Sequence, residues 1–294
     1  MPKLVWLNGE LSELEKATVS VSDHAHLYGD GLFEGIRIYG GKIFKLDEHL
    51  RRIYGGCRYM GIEMEMSRDQ LRSTILDVCA KAGISDGYIR LNVTRGSSLG
   101  LDPRALDGIA PNVMIMVSTL ALYKAEDYEA GLDVITTSFR VMPPDSLDPG
   151  LKCIGRYPAN IMAKAQANRA GVGEGLMLNQ QGFVAECTGD NLFIVRDGVL
   201  RTPHPSAGIL KGITRATVMN LARGQGVTVI EDMMTVVDIY EADEAFLTGT
   251  AAEVIPMVSL DGQPIGDGKP GPLTKKLMQL FRDETRTGTE FLTS

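Results

Sequence analysis

A pair of glycines between two short strand-like segments most constrains the fold of this chain. Residues 31–39 and 42–46 have the composition of strands, and Gly40-Gly41 joins them. The favoured two-residue hairpin turns need positive φ angles, which glycine adopts without strain. A hairpin joins antiparallel strands, so the pattern predicts antiparallel sheet in the first part of the chain.

Two segments after this hairpin have the apolar spacing of helices. Residues 47–60 and 67–82 each place apolar side chains on one face. Asp47 and Ser67 open these segments, and both are residue types that cap helix N-termini. Gly83 follows the second segment, as is typical where a helix ends. The sequence therefore predicts two consecutive helices.

The rest of the chain alternates strand-like and helical segments without an internal repeat. Further strands are predicted at residues 4–7, 18–22, 88–94, 113–118, 132–138, 175–179, 192–195, 227–233 and 245–248. Further helices are predicted at residues 160–170, 214–225 and 273–284. This mixture is typical of an α/β fold of the α+β type. We predict a smaller N-terminal α/β domain at 1–119, an interdomain loop at 120–131 and a larger C-terminal domain at 132–294.

Composition limits the classes of partner and compartment. The 294 residues are 44% hydrophobic, enough for a packed core, and the net charge of −7 argues against nucleic acid and anionic membranes as partners. No apolar run has the length of a membrane-spanning helix, and the N-terminus lacks a signal-peptide pattern. Four cysteines without a CxxC motif predict a reduced, cytoplasmic protein. His24 and His26 alternate like metal ligands, but no third ligand is obvious, so no metal is predicted.

Two residues are candidates for carrying chemistry. Lys152 follows a turn at residues 147–151, and Glu186 lies in a segment with small and polar neighbours. Enzymes that use pyridoxal phosphate (PLP) need a lysine that reacts as an amine and an acidic partner for the pyridine nitrogen. Taken singly, a surface lysine and a hairpin glutamate are the commoner interpretations.

Phosphate-binding features surround this pair in the sequence. Residues 208–215 open a predicted helix near Thr214, and helix N-termini bind phosphate through exposed N–H groups and the helix dipole. Residues 247–253 form a second turn of small residues. Arg52 can add a guanidinium group. Each feature alone is usually a helix cap or a surface residue.

A tyrosine and an arginine are candidates for binding a carboxylate. Tyr88 and Arg90 are two residues apart on a predicted strand, so their side chains lie on the same side. A phenol and a guanidinium on one face can orient a carboxylate. The alternative is an ion pair at a strand edge, for example with Asp86.

Taken together, these motifs resemble the class IV (fold type IV) PLP-dependent aminotransferases, and among them the branched-chain amino acid aminotransferases. The similar stretches follow the family's order and run from about residue 5 to about residue 285. They are residues 24–37, 49–52, 88–90, 152–157, 186–193, 208–215 and 242–256. The resemblance implies a two-domain fold, with PLP bound mainly by the larger domain and the active site between the two domains.

The resemblance also implies a role for each site residue. Lys152 would be the catalytic Schiff-base lysine, and Glu186 would contact the pyridine nitrogen. The cofactor-binding residues would be Arg52, Lys152, Tyr157, Glu186, Leu210, Gly212, Ile213, Thr214, Gly249 and Thr250. The substrate-binding residues would be Tyr28, Phe33, Gly35, Arg37, Tyr88, Arg90, Leu101, Thr250 and Ala251. Tyr28 and Leu101 would come from the partner subunit of a homodimer or larger homo-oligomer.

The implied reaction is amino-group transfer between L-leucine, L-isoleucine or L-valine and 2-oxoglutarate. Alternatives of the same fold are a transaminase for D-amino acids or amines and an aminodeoxychorismate lyase. A non-catalytic protein that binds PLP or an oxo acid is disfavoured, since both Lys152 and Glu186 are present. Arg156, Lys211 and a shortened loop at residues 95–101 depart from the family pattern and bear on substrate range.

Overall fold

The structure is a computed structural model that describes residues 2–102, 108–119 and 123–291. The chain forms two compact units. Unit 1 comprises Met1–Leu120, Lys152–Arg156 and Thr285–Ser294, and unit 2 comprises Ala121–Leu151 and Tyr157–Glu284. The predicted mixture of helices and sheets is confirmed, whereas the domain boundaries 1–119, 120–131 and 132–294 stay a prediction. None of the helices in the described ranges is long and apolar enough to cross a membrane.

The secondary structure is as follows. The α-helices are α1 (His24–Tyr28), α2 (Leu46–Met60), α3 (Arg68–Ala82), α4 (Ala125–Ala130), α5 (Tyr157–Arg169), α6 (Ile213–Gly224), α7 (Val236–Tyr240) and α8 (Pro272–Glu284). The strands are β1 (Pro2–Leu7), β2 (Glu10–Ser12), β3 (Gly31–Tyr39), β4 (Lys42–Ile43), β5 (Gly87–Thr94), β6 (Asn112–Ser118), β7 (Leu132–Arg140), β8 (Glu174–Leu178), β9 (Val184–Cys187), β10 (Asn191–Arg196), β11 (Val199–Pro203), β12 (Val229–Asp232), β13 (Glu244–Gly249), β14 (Glu253–Leu260), β15 (Gln263–Pro264) and β16 (Thr289–Glu290).

The hairpin predicted at the glycine pair is present in unit 1. Gly40 and Gly41 both have positive φ angles, and Tyr39 pairs with Lys42. In the described part of unit 1 the strand order is β16-β4-β3-β5-β6-β1-β2. Helix α2 packs on β3, and α3 packs on β1 and β6. One face of the sheet is therefore covered by helices.

Three local predictions are wrong. Residues 18–22 form no strand, and Val19 and Val21 are exposed there without ladder partners in the described residues. The strand predicted at 42–46 is shorter, because Lys45 adopts a left-handed conformation and α2 begins at Leu46. Lys45, rather than Asp47, is therefore the N-cap residue of α2.

The described part of unit 2 has a larger sheet, of order β12-β11-β10-β13-β14-β7-β8-β9 with β15 paired to β14. The central strands β10 and β13 send Leu192 and Leu247 into the main apolar core. On the opposite face Phe193 stacks on Phe246, with ring centroids 4.9 Å apart. Helices α6 and α8 pack against β13. The loops of this unit are therefore connected to strands that are buried in its core.

A buried ion pair joins α2 to β3 in unit 1. The Arg52 guanidinium donates from Nε and Nη2 to the two oxygens of Glu34, at 2.6 and 2.7 Å. His49 Nδ1 lies 2.7 Å from Glu34 Oε2, and both residues are fully buried. Burial alone raises the pKa of Glu34, but Arg52 and His49 outweigh it and hold that pKa at about 2. Burial lowers the pKa of His49, and the neighbouring Glu34 carboxylate opposes this effect.

We predict that Glu34→Gln destabilises the protein by about 3–5 kcal/mol, the usual cost of breaking a buried ion pair by removing one partner. The substitution leaves the Arg52 charge without its carboxylate. Urea unfolding measures the change, and Glu63→Gln, at an exposed position of unit 1, is the matched control.

The same pair predicts a pH dependence. The pKa of Glu34 is lower in the folded chain than its ordinary value of 4.5. Its contribution to stability is therefore complete above pH 4.5 and is lost as the pH falls toward about 2. The stability difference between wild type and Glu34→Gln should shrink over that interval. A difference that stays constant with pH would show that Glu34 is not held as a buried anion.

Candidate active site

One face of the unit 1 sheet carries most of the predicted substrate residues. In the β3–β5 ladder Gly35 pairs with Arg90, and Arg37 pairs with Tyr88. Tyr88 and Arg90 therefore lie on one side of the sheet, as their spacing predicts. The Arg90 guanidinium carbon is 4.4 Å from the centroid of the Phe33 ring. The phenol and the guanidinium share this face with an aromatic ring.

Gly35 allows the phenol to lie close to the strand. A Cβ atom at Gly35 would lie 1.9 Å from the Tyr88 hydroxyl oxygen, so any side chain there would displace the phenol. The neighbouring Arg37 has its guanidinium carbon 4.8 Å from the centroid of the Tyr39 ring. The absence of a side chain at Gly35 thus leaves the space that the Tyr88 phenol occupies on this face.

Lys152 lies against the same face of unit 1. Phe33 N donates to Lys152 O at 3.0 Å, and Cys153 forms an isolated β-bridge with Leu32. The Lys152 ammonium nitrogen is 4.8 Å from the centroid of the Phe33 ring. The lysine amine and the Arg90 guanidinium therefore contact one aromatic ring, although they are far apart in sequence.

The residues directly after Lys152 form a short turn that leads into a helix. Ile154–Arg156 form a 3₁₀ turn, and Tyr157 is the first residue of α5. Strand alternation therefore does not apply to Arg156 and Tyr157. Arg156 is buried, so it is not a solvent-exposed surface residue.

Arg52 and the partner-subunit candidates also have defined places. The Glu34 carboxylate, next to Phe33 in sequence, fixes the Arg52 guanidinium. Tyr28 and Leu101 are both exposed, Leu101 by 77%. Gly100 N donates to the Tyr28 hydroxyl at 3.3 Å, so the end of α1 and the loop that carries Leu101 are neighbours.

Glu186 is held by backbone and side-chain donors in unit 2. Its Oε2 atom accepts from Leu210 N at 2.8 Å and from Asn191 Nδ2 at 3.2 Å. Asn191 Nδ2 also lies 2.9 Å from Leu210 O. The carboxylate is buried and stays beside Leu210 because these donors fix it. Sequence reasoning omitted Asn191 from the site, although a buried asparagine in an apolar strand must find partners.

The start of α6 has the form of an anion site. Gly212 is the N-cap residue and makes no side-chain capping bond, so the first-turn N–H groups of this twelve-residue helix have no side-chain acceptor from that position. A Cβ atom at Gly212 would lie 2.1 Å from Asn191 Oδ1. Glycine at this position therefore allows the start of α6 to lie close to Asn191, and Asn191 in turn donates to Glu186. Ile213 and Thr214 occupy the first turn, where anions bind.

A hairpin loop between β13 and β14 carries the remaining predicted residues. Gly249 pairs with Glu253, leaving Thr250, Ala251 and Ala252 as a three-residue loop. A Cβ atom at Gly249 would lie 1.9 Å from Asp190 Oδ1. The small residues leave the loop backbone accessible to a bound group.

Comparison with known proteins identifies the family. The amino-transferase class IV family model matches residues 31–260. The putative branched-chain-amino-acid aminotransferase of Methanocaldococcus jannaschii is 43% identical over 280 residues, covering 95% of each chain.

Two solved structures agree with this result. The branched-chain amino acid aminotransferase of Escherichia coli has a TM-score of 0.93 at 34% identity, covering 96% of this chain and 94% of that one. The branched-chain amino acid aminotransferase from Thermobaculum terrenum, solved in its PLP form, has a TM-score of 0.86 at 31% identity, covering 97% and 94%. The predicted fold type IV architecture is confirmed, and the chain belongs to the amino-transferase class IV family.

Proposed function

We propose that the protein is a PLP-dependent aminotransferase that transfers the amino group between L-leucine, L-isoleucine or L-valine and 2-oxoglutarate. The observation that carries the proposal is the Phe33 ring, which the Lys152 amine and the Arg90 guanidinium both contact. A reactive amine and a carboxylate-binding cation then lie on one apolar surface. The relatives named as branched-chain aminotransferases support the choice of substrate.

The residues present fit PLP. Unit 1 supplies the Lys152 amine and the Arg52 guanidinium. Unit 2 supplies the buried Glu186 carboxylate and the start of α6. When bound, PLP acts as an electron sink for the carbanion at the substrate Cα atom. The cofactor-binding set predicted from the sequence is retained: Arg52, Lys152, Tyr157, Glu186, Leu210, Gly212, Ile213, Thr214, Gly249 and Thr250.

Lys152 and Glu186 have complementary tasks in this proposal. The Lys152 amine would take the proton from the substrate Cα and deliver it to the cofactor within the same half-reaction. In the second half-reaction it would carry a proton in the opposite direction, to the Cα of the new amino acid. Glu186 is held in place by Leu210 N and Asn191, so its charge stays where it can stabilise a protonated ring nitrogen. The two groups therefore separate proton transfer from charge stabilisation.

The substrate would be bound through both ends. Thr250 and Ala251 N–H groups, with Tyr88 and Arg90, would receive the α-carboxylate. The face at Phe33 and Gly35 would take the branched side chain, because it combines an aromatic ring with a position where no side chain fits. Arg90 and Arg37 would bind the second carboxylate of 2-oxoglutarate, so one pocket would accept apolar and acidic side chains.

We also propose a cytoplasmic homodimer or larger homo-oligomer. The loops at residues 19–28 and 96–101 are joined by the Asp23–Ser97 bridge and by Ser98 N, which donates to Ser22 O at 3.1 Å. Their exposed apolar residues are Val19, Val21, Leu27, Tyr28, Leu99 and Leu101. We call this set the loop patch. A cluster of exposed apolar side chains is typical of a protein–protein interface.

We predict that Lys152→Ala lowers kcat for leucine-dependent glutamate formation by at least about a hundredfold, since a positioned acid–base group contributes 10²–10⁴-fold. Circular dichroism should show an unchanged fold. Lys276→Ala, on the exposed face of α8, is the control and should retain activity. Near-normal turnover by Lys152→Ala would remove Lys152 from the reaction and refute the proposed function.

The alternatives are separated by substrate. Turnover of D-leucine but not L-leucine would support the transaminase for D-amino acids. Pyruvate release from aminodeoxychorismate without an amino acceptor would support the lyase.

We predict that the paired substitution Val21→Asp and Leu101→Asp converts the assembly to monomers, because the interface would then bury charges without partners. Light scattering coupled to gel filtration measures the mass. Val237→Asp, at an exposed position of α7 in unit 2, should leave the mass unchanged. A loop-patch variant with the mass of the wild-type assembly would exclude this patch as the interface.

A further inference from the structure

Two tyrosines of the connecting segment lie behind the hairpin loop of unit 2. Tyr123 precedes α4 and Tyr128 lies within it, and both pack against the main apolar core. Their rings meet edge to face, with centroids 6.5 Å apart and planes at 82°. We call them the connector tyrosines. Neither belongs to the residues that the sequence assigns to the site.

Tyr128 holds the end of the hairpin loop. Its hydroxyl donates to Ala252 O at 3.1 Å, and Ala252 is fully buried. The next residue, Glu253, has a φ angle of 58°. A residue with a side chain rarely adopts this conformation, and it persists where surrounding contacts fix it. The Tyr128 bond is such a contact, since it fixes the peptide that joins Ala252 to Glu253.

Tyr123 reaches the start of the same loop through a carboxylate. Its hydroxyl lies 3.4 Å from Asp190 Oδ2 and 3.4 Å from Glu174 Oε2. A Cβ atom at Gly249 would lie 1.9 Å from Asp190 Oδ1, so the start of the loop lies close to this carboxylate. Burial and the two carboxylates raise the pKa of Tyr123, which keeps its hydroxyl a donor.

The Glu174 carboxylate that contacts Tyr123 is itself held by several donors. Its Oε1 atom accepts from Gly175 N at 2.6 Å and from the Thr188 hydroxyl at 2.5 Å. Lys164 Nζ lies 3.4 Å from its Oε2 atom. The Tyr123 hydroxyl therefore lies between two buried carboxylates, Glu174 of β8 and Asp190 of the β9–β10 turn.

We infer that the connector tyrosines are positioning residues for substrate binding: they hold both ends of the 249–253 hairpin loop and so aim the N–H groups of Thr250 and Ala251 at the substrate carboxylate. The inference rests on the proposed function, which assigns these N–H groups to the carboxylate. It assigns a part in substrate affinity to two residues of the predicted interdomain loop, Tyr123 and Tyr128, through their contacts within unit 2.

The physical reason is preorganisation. Backbone N–H groups bind a carboxylate well only when they already point at it, because a loop that must be ordered on binding loses affinity. Removing one hydroxyl behind the loop deletes no group that contacts the substrate, but it loosens the loop that carries the N–H groups of Thr250 and Ala251. Its effect should therefore fall on ligands that carry a carboxylate and spare those that lack one.

The test uses two probes on the PLP-loaded protein. 4-Methylvalerate has the carboxylate and branched chain of leucine without the amine, and 3-methylbutylamine has the amine without the carboxylate. Tyr128→Phe should raise the Kd for 4-methylvalerate about five- to tenfold, the equivalent of one lost hydrogen bond. The Kd for the amine should change less than about twofold. Tyr123→Phe should act in the same direction.

Kinetics and hydrogen exchange give independent readouts. For L-leucine, Tyr128→Phe should raise KM by the same factor as the Kd of 4-methylvalerate and leave kcat nearly unchanged. Amides of residues 249–253 should exchange faster in the ligand-free variant. Tyr240→Phe removes a hydroxyl 3.4 Å from Asp261 on the surface of unit 2 and should change none of these quantities.

The outcomes separate the inference from the proposed function. Wild-type affinity of Tyr128→Phe for 4-methylvalerate overturns the inference alone. Equal weakening of the carboxylate and the amine also overturns it, since that result indicates a general loss of structure. Failure of the wild-type protein to bind 4-methylvalerate refutes the proposed function and the inference with it.

Discussion

The buried ion pair between Glu34 and Arg52 is the interaction on which unit 1 depends. Strand alternation turns Glu34 and Ile36 toward the helices, while Phe33 and Gly35 face the other way. The carboxylate that fixes Arg52 and the ring that contacts Lys152 are therefore on consecutive residues. Strand β3 thus contacts α2, which carries Arg52, on one face of the sheet. On its other face it contacts the Lys152 amine.

In unit 2, different groups hold the predicted cofactor-binding residues in position. Its predicted cofactor contacts are mostly backbone atoms, at the start of α6 and in the hairpin loop after β13. A backbone N–H group cannot be redirected by a change of side-chain rotamer. Its position therefore depends on the residues that pack against that part of the backbone. Asn191 stands behind Gly212, and Asp190 stands behind Gly249. Asp190 lies in the β9–β10 turn and Asn191 begins β10, while Glu186 lies on β9 just before that turn.

Local structure was largely predictable from the sequence, because local signals determine it. The Gly40-Gly41 turn needs positive φ angles at both positions, and the structure has them. The strand predicted at 18–22 failed because alternation describes a pattern and does not supply a pairing partner. The same limit applies to α2, whose first residues follow a left-handed Lys45 that no capping rule indicates.

The supports behind the site were not predictable, because their partners are distant in sequence. Glu34 and Arg52 are 18 residues apart, and Tyr128 and Ala252 are 124 apart. Only the folded chain shows that a tyrosine in the predicted connector bonds to the hairpin loop. The motifs identify residues with chemical functions, whereas the contacts that hold those residues follow from the complete fold.

The most direct test of the central claim is one half-reaction. PLP-loaded protein is mixed with L-leucine in the absence of any oxo acid, and the visible absorption spectrum is recorded. The account predicts loss of the absorption of the lysine-bound cofactor, gain of that of the aminated cofactor, and release of the branched 2-oxo acid in proportion to active sites. An unchanged spectrum with L-leucine, in protein that visibly binds PLP, would contradict it.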